Sequence, residues 1–249
     1  MLRQIELNEI ENIAKEAGET IMEIYNRDFS IAYKDDKSPL TEADLASHEV
    51  IMRGLEKYGM PILSEEGKEI SYEERKKWEY YWCIDPIDGT KEFIKKNGEF
   101  TVNIALIHHD MPVLGVVYAP ALGDMYAAKQ GEGAFKNGQE LPLSRNSDLS
   151  AKTRVVASKS HLSEETQAFI DALDTREVEQ VSKGSSLKLC MVAEGEADIY
   201  PRLAPTMEWD TAAADAVVRE SGKMTYIFAS ETPVRYNKEN LLNPWFIVK

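Results

Sequence analysis

Residues 82–93 read WCIDPIDGTKEF, and they place two carboxylates directly after an apolar segment. The run YYWCI leads into them and is typical of a buried strand. Asp85 and Asp88 follow with Pro86 between them, and a glycine and a threonine come next. An unpaired carboxylate at the end of a buried strand is costly. The stretch therefore indicates either a tight acidic turn or a pair of side chains that holds a positive charge.

The composition is that of an ordinary globular protein. The 249 residues are 43% hydrophobic and 29% charged, enough for one large domain or two small ones. The formal net charge of −14 argues against a sequence-independent nucleic-acid binder, because such proteins present a basic face. It does not exclude a small anionic ligand, since bound cations reverse the field at one site.

Cysteine content and hydropathy predict the compartment. Cys83 and Cys190 lie in apolar segments, which predicts buried, reduced thiols. The N-terminal MLRQIELNEI lacks the apolar region of a secretory signal, and no uncharged run approaches the roughly 18 residues that a membrane helix needs. We therefore expect a cytoplasmic protein with no transmembrane segment, and leave open a peripheral association with the inner membrane surface.

Two architectures follow each other along the chain. A helical stripe over Leu7 to Tyr25 and a helix that Thr41 can cap precede the strand-like runs FTVNIALIHH, PVLGVVYAP and DMYAAKQ. These predict two helices on a mostly antiparallel sheet. Later segments alternate strand and helix, which favours an α/β arrangement. We expect an α+β domain over residues 1–149 and an α/β domain over residues 150–249.

Five acidic residues fall at the ends of predicted elements, where a scaffold can aim side chains into a shared cleft. They are Asp44, Glu65, Asp85, Asp88 and Asp210. Oxygen ligands suit Mg²⁺, Mn²⁺ or Ca²⁺ better than zinc. Pro86 stiffens the turn so that Asp85 and Asp88 can face one point, and the Ile87 carbonyl adds an oxygen there. Two metal ions could share one carboxylate, as in two-metal phosphoryl-transfer sites.

Four of these residues also have a structural alternative. Asp44 could complete a capping box that starts at Thr41, and Glu65 could be a solvated turn residue. Asp88 could share a helix cap with Thr90, and Asp210 could be a helix N-cap. Asp85 has no such alternative. Taken together, the structural alternatives leave a buried carboxylate unexplained.

The second half carries candidate anion ligands. GSSLK, residues 184–188, opens a predicted helix whose N-terminus can bind an anion, and Lys188 adds a full charge. Arg202 follows a predicted strand and can make bidentate contacts with a phosphate. The alternatives are a plain capping motif for GSSLK and a surface position for Arg202. His161 could contact phosphate or base, and its alternative is a structural histidine.

Three motifs in this order resemble the metal-site motifs of the inositol monophosphatase superfamily: LSEEG, WCIDPIDGTKEF and WDTAAADAV. Longer stretches resemble its bacterial 3'(2'),5'-bisphosphate nucleotidase branch. They are KSPLTEAD, IDGTKEFIKKNGEFTVNIALI, LGVVYAP, GSSLKLCMVAEGEADIYPR and LNP near the end. The tripeptide at residues 91–93, KEF, favours that branch. The resemblance covers nearly the whole chain and implies a layered αβαβα sandwich with its cleft between the two halves.

The resemblance implies two Mg²⁺ ions and leaves room for a third near Glu65. One ion would take Glu65, Asp85 and the Ile87 carbonyl. The second would take Asp85, Asp88 and Asp210. The two ions would thus share Asp85.

The same resemblance implies the remaining roles. Asp44 and Thr90 would orient and deprotonate the attacking water for direct in-line hydrolysis. The second phosphate and the nucleoside would contact Ser158, His161, Ser185, Lys188 and Arg202. The other substrate contacts would come from Glu65, Ile87, Asp88, Gly89, Thr90 and Asp210.

The implied reaction is Mg²⁺-dependent hydrolysis of 3'-phosphoadenosine 5'-phosphate to AMP and phosphate, in sulfur assimilation, with inhibition by Li⁺. The sulfated relative, 3'-phosphoadenosine 5'-phosphosulfate, is a second expected substrate, and we expect a monomer or homodimer. An inositol or sugar monophosphatase is the near alternative, and a non-catalytic nucleotide- or cation-binding module is the remote one. The segment from Gly222 to Leu242 is shorter and more divergent than the branch implies, and Asp215 and Glu220 add acid near it.

Overall fold

The computed structural model describes residues 1–33, 39–143, 152–157, 163–173 and 177–249. Nine strands form a two-stranded ribbon (β1 and β2) and a seven-stranded central sheet: β1 (Ile31–Tyr33), β2 (Pro39–Thr41), β3 (Ile62–Ser64), β4 (Tyr80–Asp88), β5 (Thr101–His108), β6 (Met111–Ala119), β7 (Asp124–Lys129), β8 (Gly133–Lys136) and β9 (Gln139–Glu140). The central order is β3-β4-β5-β6-β7-β8-β9. β3 and β4 run parallel and the later neighbours antiparallel, which confirms the predicted meander.

Two long helices cover one face of this sheet. The helices up to residue 100 are α1 (Leu7–Tyr25), α2 (Glu42–Leu55), α3 (Tyr72–Arg75) and α4 (Thr90–Ile94), with 3-10 turns at Leu2–Gln4 and Glu56–Tyr58. The apolar stripe of α1 is buried against the sheet, and α2 begins after its predicted cap, Thr41. Alternation along β4 turns Trp82 and Ile84 toward this layer.

The later elements are β10 (Thr153–Val156), α5 (Glu164–Asp171), β11 (Val178–Val181), α6 (Leu187–Glu194), β12 (Tyr200–Arg202), α7 (Ala212–Glu220), β13 (Thr225–Ile227) and β14 (Phe246–Val248). Of these, α6 and α7 belong to the core on the opposite face of the central sheet, whereas β10, α5 and β11 contribute to a separate small core. β10 and β11 are parallel, and β12-β14-β13 form an antiparallel sheet. The alternation of strands and helices was predicted as far as α7, and the stacked layers match the expected α/β sandwich.

Close packing brings α7 to the central sheet. A Cβ built on Gly115 of β6 would lie 2.1 Å from the Ala213 carbonyl oxygen and 2.7 Å from the Ala216 Cβ. Only a glycine lets the α7 backbone approach β6 this closely. On this face Tyr81 and Cys83 join a core cluster with α6 and α7. The turn before α7, which carries Asp210, is thereby fixed relative to the sheet.

Cys83 and Cys190 are buried and unpaired, as predicted. Across the described ranges, no helix combines the length and the apolar character required to cross a bilayer. The expected boundary at residues 149–150 lies outside the described residues, so the two-domain division stays a prediction.

Candidate active site

A β-bulge accounts for the spacing of the two aspartates in β4. Asp85 pairs with Asn103 and Asp88 with Thr101, so β4 uses three residues where β5 uses two. In a regular strand, residues three apart point to opposite faces. The extra residue of a bulge reverses this and turns Asp88 toward the side that Asp85 occupies. The turn predicted at Pro86 is therefore a bulge within a continuous strand.

Four carboxylates from three elements influence one another here. Burial raises the pKa of Asp85 well above its ordinary value, and the charges of Glu65, Asp88 and Asp210 raise it further. A hydrogen bond with the Glu65 side chain acts in the same direction. Burial also raises the pKa of Asp88 to about 6 and that of Asp210 to about 8. Raised pKa values of this kind mark a concentration of negative charge that a bound cation would relieve.

The donor set fits a hard divalent cation. Carboxylate oxygens with the Ile87 carbonyl are the ligands that Mg²⁺ prefers, and Mg²⁺ usually keeps several waters beside one or two carboxylates. Asp85 Oδ1 accepts the Ile87 N–H at 3.0 Å, and Asp210 Oδ2 accepts the Met207 N–H at 2.9 Å. Within the part of the chain that the structure describes, no three His, Cys, Asp or Glu side chains already converge as metal ligands. What fits the ion here is the chemistry of the donor set, rather than an already converged cluster.

The two carboxylate oxygens of Asp44 accept hydrogen bonds from two different residues. Its Oδ2 accepts the Thr41 N–H and the Thr41 hydroxyl, each at 2.7 Å, so the capping-box alternative is correct. Its Oδ1 accepts the Thr90 hydroxyl at 3.1 Å. The Thr90 hydroxyl also lies 3.3 Å from the Ile87 carbonyl oxygen. Burial raises the pKa of Asp44. The Asp44 side chain therefore makes the capping contact with Thr41 and the predicted functional contact with Thr90 at the same time.

Two other structural alternatives are wrong. Helix α4 begins at Thr90 with Gly89 as its N-cap, and the φ of +95° at Gly89 favours glycine. Helix α7 has Thr211 as its N-cap, while Asp210 folds back onto the Met207 N–H. Asp88 and Asp210 therefore do not cap these helices.

A cleft of about 400 Å³ joins the two halves of the chain, within the range of small-molecule sites. Six of the predicted site residues line it: Asp88, Gly89, Ser185, Lys188, Arg202 and Asp210. Glu65 instead lines a second cavity of about 440 Å³, beside Met207 and Trp209. The residues that line the first cleft do not include Asp44, Asp85, Ile87 or Thr90. Ser158 and His161 lie outside the described residues.

The part of the cleft lining that comes from residues 182–202 is polar and cationic. Burial lowers the pKa of Lys188 to about 8, against the opposing charge of Asp88. The Lys188 ammonium donates to the Ser185 carbonyl at 2.6 Å. Three buried polar atoms of the lining have no hydrogen-bond partner among the described residues: Ser182 Oγ, Ser185 Oγ and Arg202 Nε. Buried polar groups are normally paired, so these donors favour a polar ligand.

Sequence reasoning missed some of the lining. Tyr200 lies two residues before Arg202 in β12, and strand alternation could have placed both on one face. Ser182 precedes the GSSLK motif without a charge or a pattern that would have singled it out. Lys91 and Glu92 line the cleft, whereas Phe93 is buried among aromatic rings, including Tyr25.

The family model for inositol monophosphatases matches residues 3–244, and the chain belongs to this family. The 3'(2'),5'-bisphosphate nucleotidase CysQ of Escherichia coli (strain K12) is 44% identical, over 97% of this chain and 98% of the relative. The Haemophilus influenzae protein of the same name is 37% identical, over 97% and 91%.

Solved structures agree with this assignment. CysQ from Bacteroides thetaiotaomicron superimposes with a TM-score of 0.89 at 45% identity, over 98% of this chain and 96% of that one. An IMPase from Thermotoga maritima gives a TM-score of 0.77 at 27% identity, over 96% and 89%. The expected sandwich fold and family are therefore confirmed.

Proposed function

We propose that this protein is a Mg²⁺-dependent 3'(2'),5'-bisphosphate nucleotidase that hydrolyses 3'-phosphoadenosine 5'-phosphate to AMP and phosphate. The observation that carries the proposal is the cleft, which joins two predicted metal ligands, Asp88 and Asp210, to two cationic side chains, Lys188 and Arg202. The two carboxylates suit ions that would bind the phosphate that is cleaved, and the two cationic side chains suit a second anionic group. The names of the nucleotidases to which this chain is similar support the same substrate class.

Bound Mg²⁺ would neutralise charge on the reacting phosphate and lower the pKa of a water molecule. Glu65, Asp85 and the Ile87 carbonyl would hold one ion, and Asp85, Asp88 and Asp210 a second. A third near Glu65 belongs to the same proposal. The mutual repulsion of these carboxylates supports a site for divalent cations.

The protein's own residues would move the proton. The Thr90 hydroxyl donates to Asp44 Oδ1, which leaves the hydroxyl oxygen free to accept a proton from the attacking water. As the water attacks phosphorus, its proton passes to Thr90 and the Thr90 proton passes to Asp44. Burial raises the pKa of Asp44, so this carboxylate is a stronger base than an exposed aspartate.

The second phosphate would contact the part of the cleft lining that comes from residues 182–202. Arg202 offers a planar fork of donors, with its Nε unpaired among the described residues. Lys188 and the Ser185 hydroxyl add a charge and a donor. The sulfated nucleotide carries the same 3'-phosphate and an anionic phosphosulfate at its 5' end, and is proposed as a second substrate. A role in sulfur assimilation, Li⁺ inhibition, a cytoplasmic location and a monomeric or homodimeric state remain part of this proposal.

The near alternative is an inositol or sugar monophosphatase of the same family. Such a substrate has one phosphate and would offer Lys188 and Arg202 no second anionic group to contact. A non-catalytic module is disfavoured because the Asp44 and Thr90 pair is in hydrogen-bond contact.

Phosphate release by wild type and Asp85→Asn, in Mg²⁺ and in EDTA, tests the metal-dependent reaction. The variant should lose about 10³-fold or more, because metal ions contribute several kcal/mol of transition-state stabilisation. The variant should remain folded, as judged by circular dichroism, because the substitution removes a buried negative charge that neighbouring carboxylates repel. Turnover near the wild-type rate would rule out the metal assignment.

A further inference from the structure

The segment of residues 237–243, called the strap here, crosses the turn that carries Asp210. Fully buried Glu208 lies two residues before Asp210 and ties this turn to the strap. Its Oε2 accepts the Asn237 N–H at 2.7 Å. Its Oε1 accepts the Lys238 N–H at 3.0 Å and the Lys238 ammonium at 2.6 Å. One buried carboxylate therefore holds two consecutive strap residues.

A second set of contacts holds the same turn from the far end of the strap. The Asn243 side-chain amide donates to the Met207 carbonyl at 2.8 Å and to the Thr211 hydroxyl at 3.0 Å. The Glu208 N–H donates to the Leu241 carbonyl at 3.0 Å. The turn is thus bonded to the strap on both sides of Asp210.

Arg75 ties the strap to the other half of the chain. Its guanidinium donates to the Asn237 side chain at 3.0 Å and to the Lys238 and Glu239 carbonyls at 3.1 and 3.2 Å. The Asn237 amide returns a hydrogen bond to the Arg75 carbonyl at 2.9 Å. Arg75 is buried and ends α3, which follows the loop that carries Glu65. Its Nε donates to the Ile70 carbonyl of that loop at 3.1 Å.

We infer that Glu208 and Arg75 are positioning residues that, through the strap, set the placement of Asp210 relative to the Glu65 loop and so set the metal affinity of the site. This inference rests on the proposed function. Asp210 and Glu65 come from distant parts of the sequence, and ion binding depends on their spacing. Partners that orient metal ligands typically change metal affinity about 10–100-fold when mutated. The inference also gives a role to part of the segment that departs from the branch pattern.

The first test compares two glutamine substitutions of matched character. Glu208→Gln removes the charge that pairs with Lys238. Glu194→Gln removes an equally buried charge, which pairs with Lys136 at 2.7 Å and Tyr126 at 3.1 Å, on β8 and β7. Binding of Mn²⁺ to each protein is followed by electron paramagnetic resonance of the free ion, with Mg²⁺ competition. Glu208→Gln should bind Mn²⁺ about tenfold or more weakly, whereas Glu194→Gln should stay within about twofold of wild type.

Steady-state kinetics separate positioning from a purely structural role. For Glu208→Gln the Mg²⁺ concentration at half-maximal rate should rise by the same factor as the Mn²⁺ dissociation constant. At saturating Mg²⁺, KM for the nucleotide should stay near the wild-type value. A loss of stability alone would lower the melting temperature without moving the Mg²⁺ requirement.

Lys238 provides a milder pair of variants if Glu208→Gln does not fold. Its side chain is 27% exposed, so Lys238→Met leaves less disruption than a change at Glu208. Lys238→Met should weaken Mn²⁺ binding in the same direction, and Lys238→Arg should restore it. Wild-type Mn²⁺ affinity in both Glu208→Gln and Lys238→Met would overturn this inference alone. A wild-type protein that binds no Mn²⁺ would overturn the proposed metal site as well.

Discussion

The Thr90 hydroxyl lies 3.1 Å from Asp44 Oδ1 and thereby joins the first residue of α4 to the first turn of α2. The other Asp44 oxygen is bonded to Thr41. Structure and proposed chemistry therefore use different atoms of one carboxylate, and substitutions at its two neighbours should separate them.

Thr90→Val keeps the shape of the side chain and removes its hydroxyl. We expect kcat to fall by about 10²–10⁴-fold, because a positioned proton acceptor contributes that much, with the melting temperature nearly unchanged. Thr90→Ser should retain most of the activity. Thr41→Val is the control, since it loses about 1 kcal/mol of helix capping but leaves Thr90 in contact with Asp44. A Thr90→Val enzyme with wild-type kcat would exclude the proposed proton path.

Stability should depend on pH and on Mg²⁺ together. The folded protein holds protons on Asp85, Asp88 and Asp210 at pH values where the unfolded chain, with pKa near 3.8, has released them. The metal-free protein should therefore lose stability as pH rises from about 4 through 6 toward 8. Ion binding needs the ionised carboxylates, so the rise in melting temperature on adding Mg²⁺ should grow from pH 5.5 to pH 8.

Differential scanning fluorimetry in EDTA and in Mg²⁺, across this pH range, measures both effects. The same measurement with Ca²⁺ in place of Mg²⁺ is the control, and it compares the rise in melting temperature that a second hard cation produces. A Mg²⁺ shift of equal size at every pH would contradict the view that these carboxylates bind the ion.

Arg202→Ala should affect one class of substrate selectively. If Arg202 contacts the second phosphate, KM for 3'-phosphoadenosine 5'-phosphate should rise by about 10–100-fold, the value of a charged hydrogen bond. Hydrolysis of 3'-AMP, which lacks that phosphate, should change by less than about twofold. Arg202→Lys should recover only part of the loss, because lysine lacks the planar fork. Equal losses with both nucleotides would place Arg202 elsewhere in the mechanism.

The elements that the sequence could predict are those with a repeating local pattern. Helix α1 runs from Leu7 to Tyr25, as its apolar stripe indicates, and α2 follows its cap at Thr41. The alternating and apolar runs of the central sheet were equally informative. Strands β13 and β14 were missed; β14 pairs with β12 and β13, and no local pattern encodes pairing between segments this far apart.

The sequence predicts which residues form the site better than it predicts how those residues are arranged. The five acidic residues could be singled out because they fall at element ends. The bulge that aligns Asp85 with Asp88 could not be distinguished from a turn, because Pro86 suits both. The bonds from Glu208 and Arg75 to the strap join residues far apart in the sequence, and no local pattern encodes them.

The most direct test of the proposed function compares phosphate release from 3'-phosphoadenosine 5'-phosphate and from inositol monophosphate, at matched concentrations with Mg²⁺ present. We predict a kcat/KM for the nucleotide that exceeds that for inositol monophosphate by about tenfold or more, the gain expected from one additional charged contact. Activity with both substrates should vanish in EDTA. A clear preference for inositol monophosphate, or turnover of the nucleotide that persists in EDTA, would contradict the account.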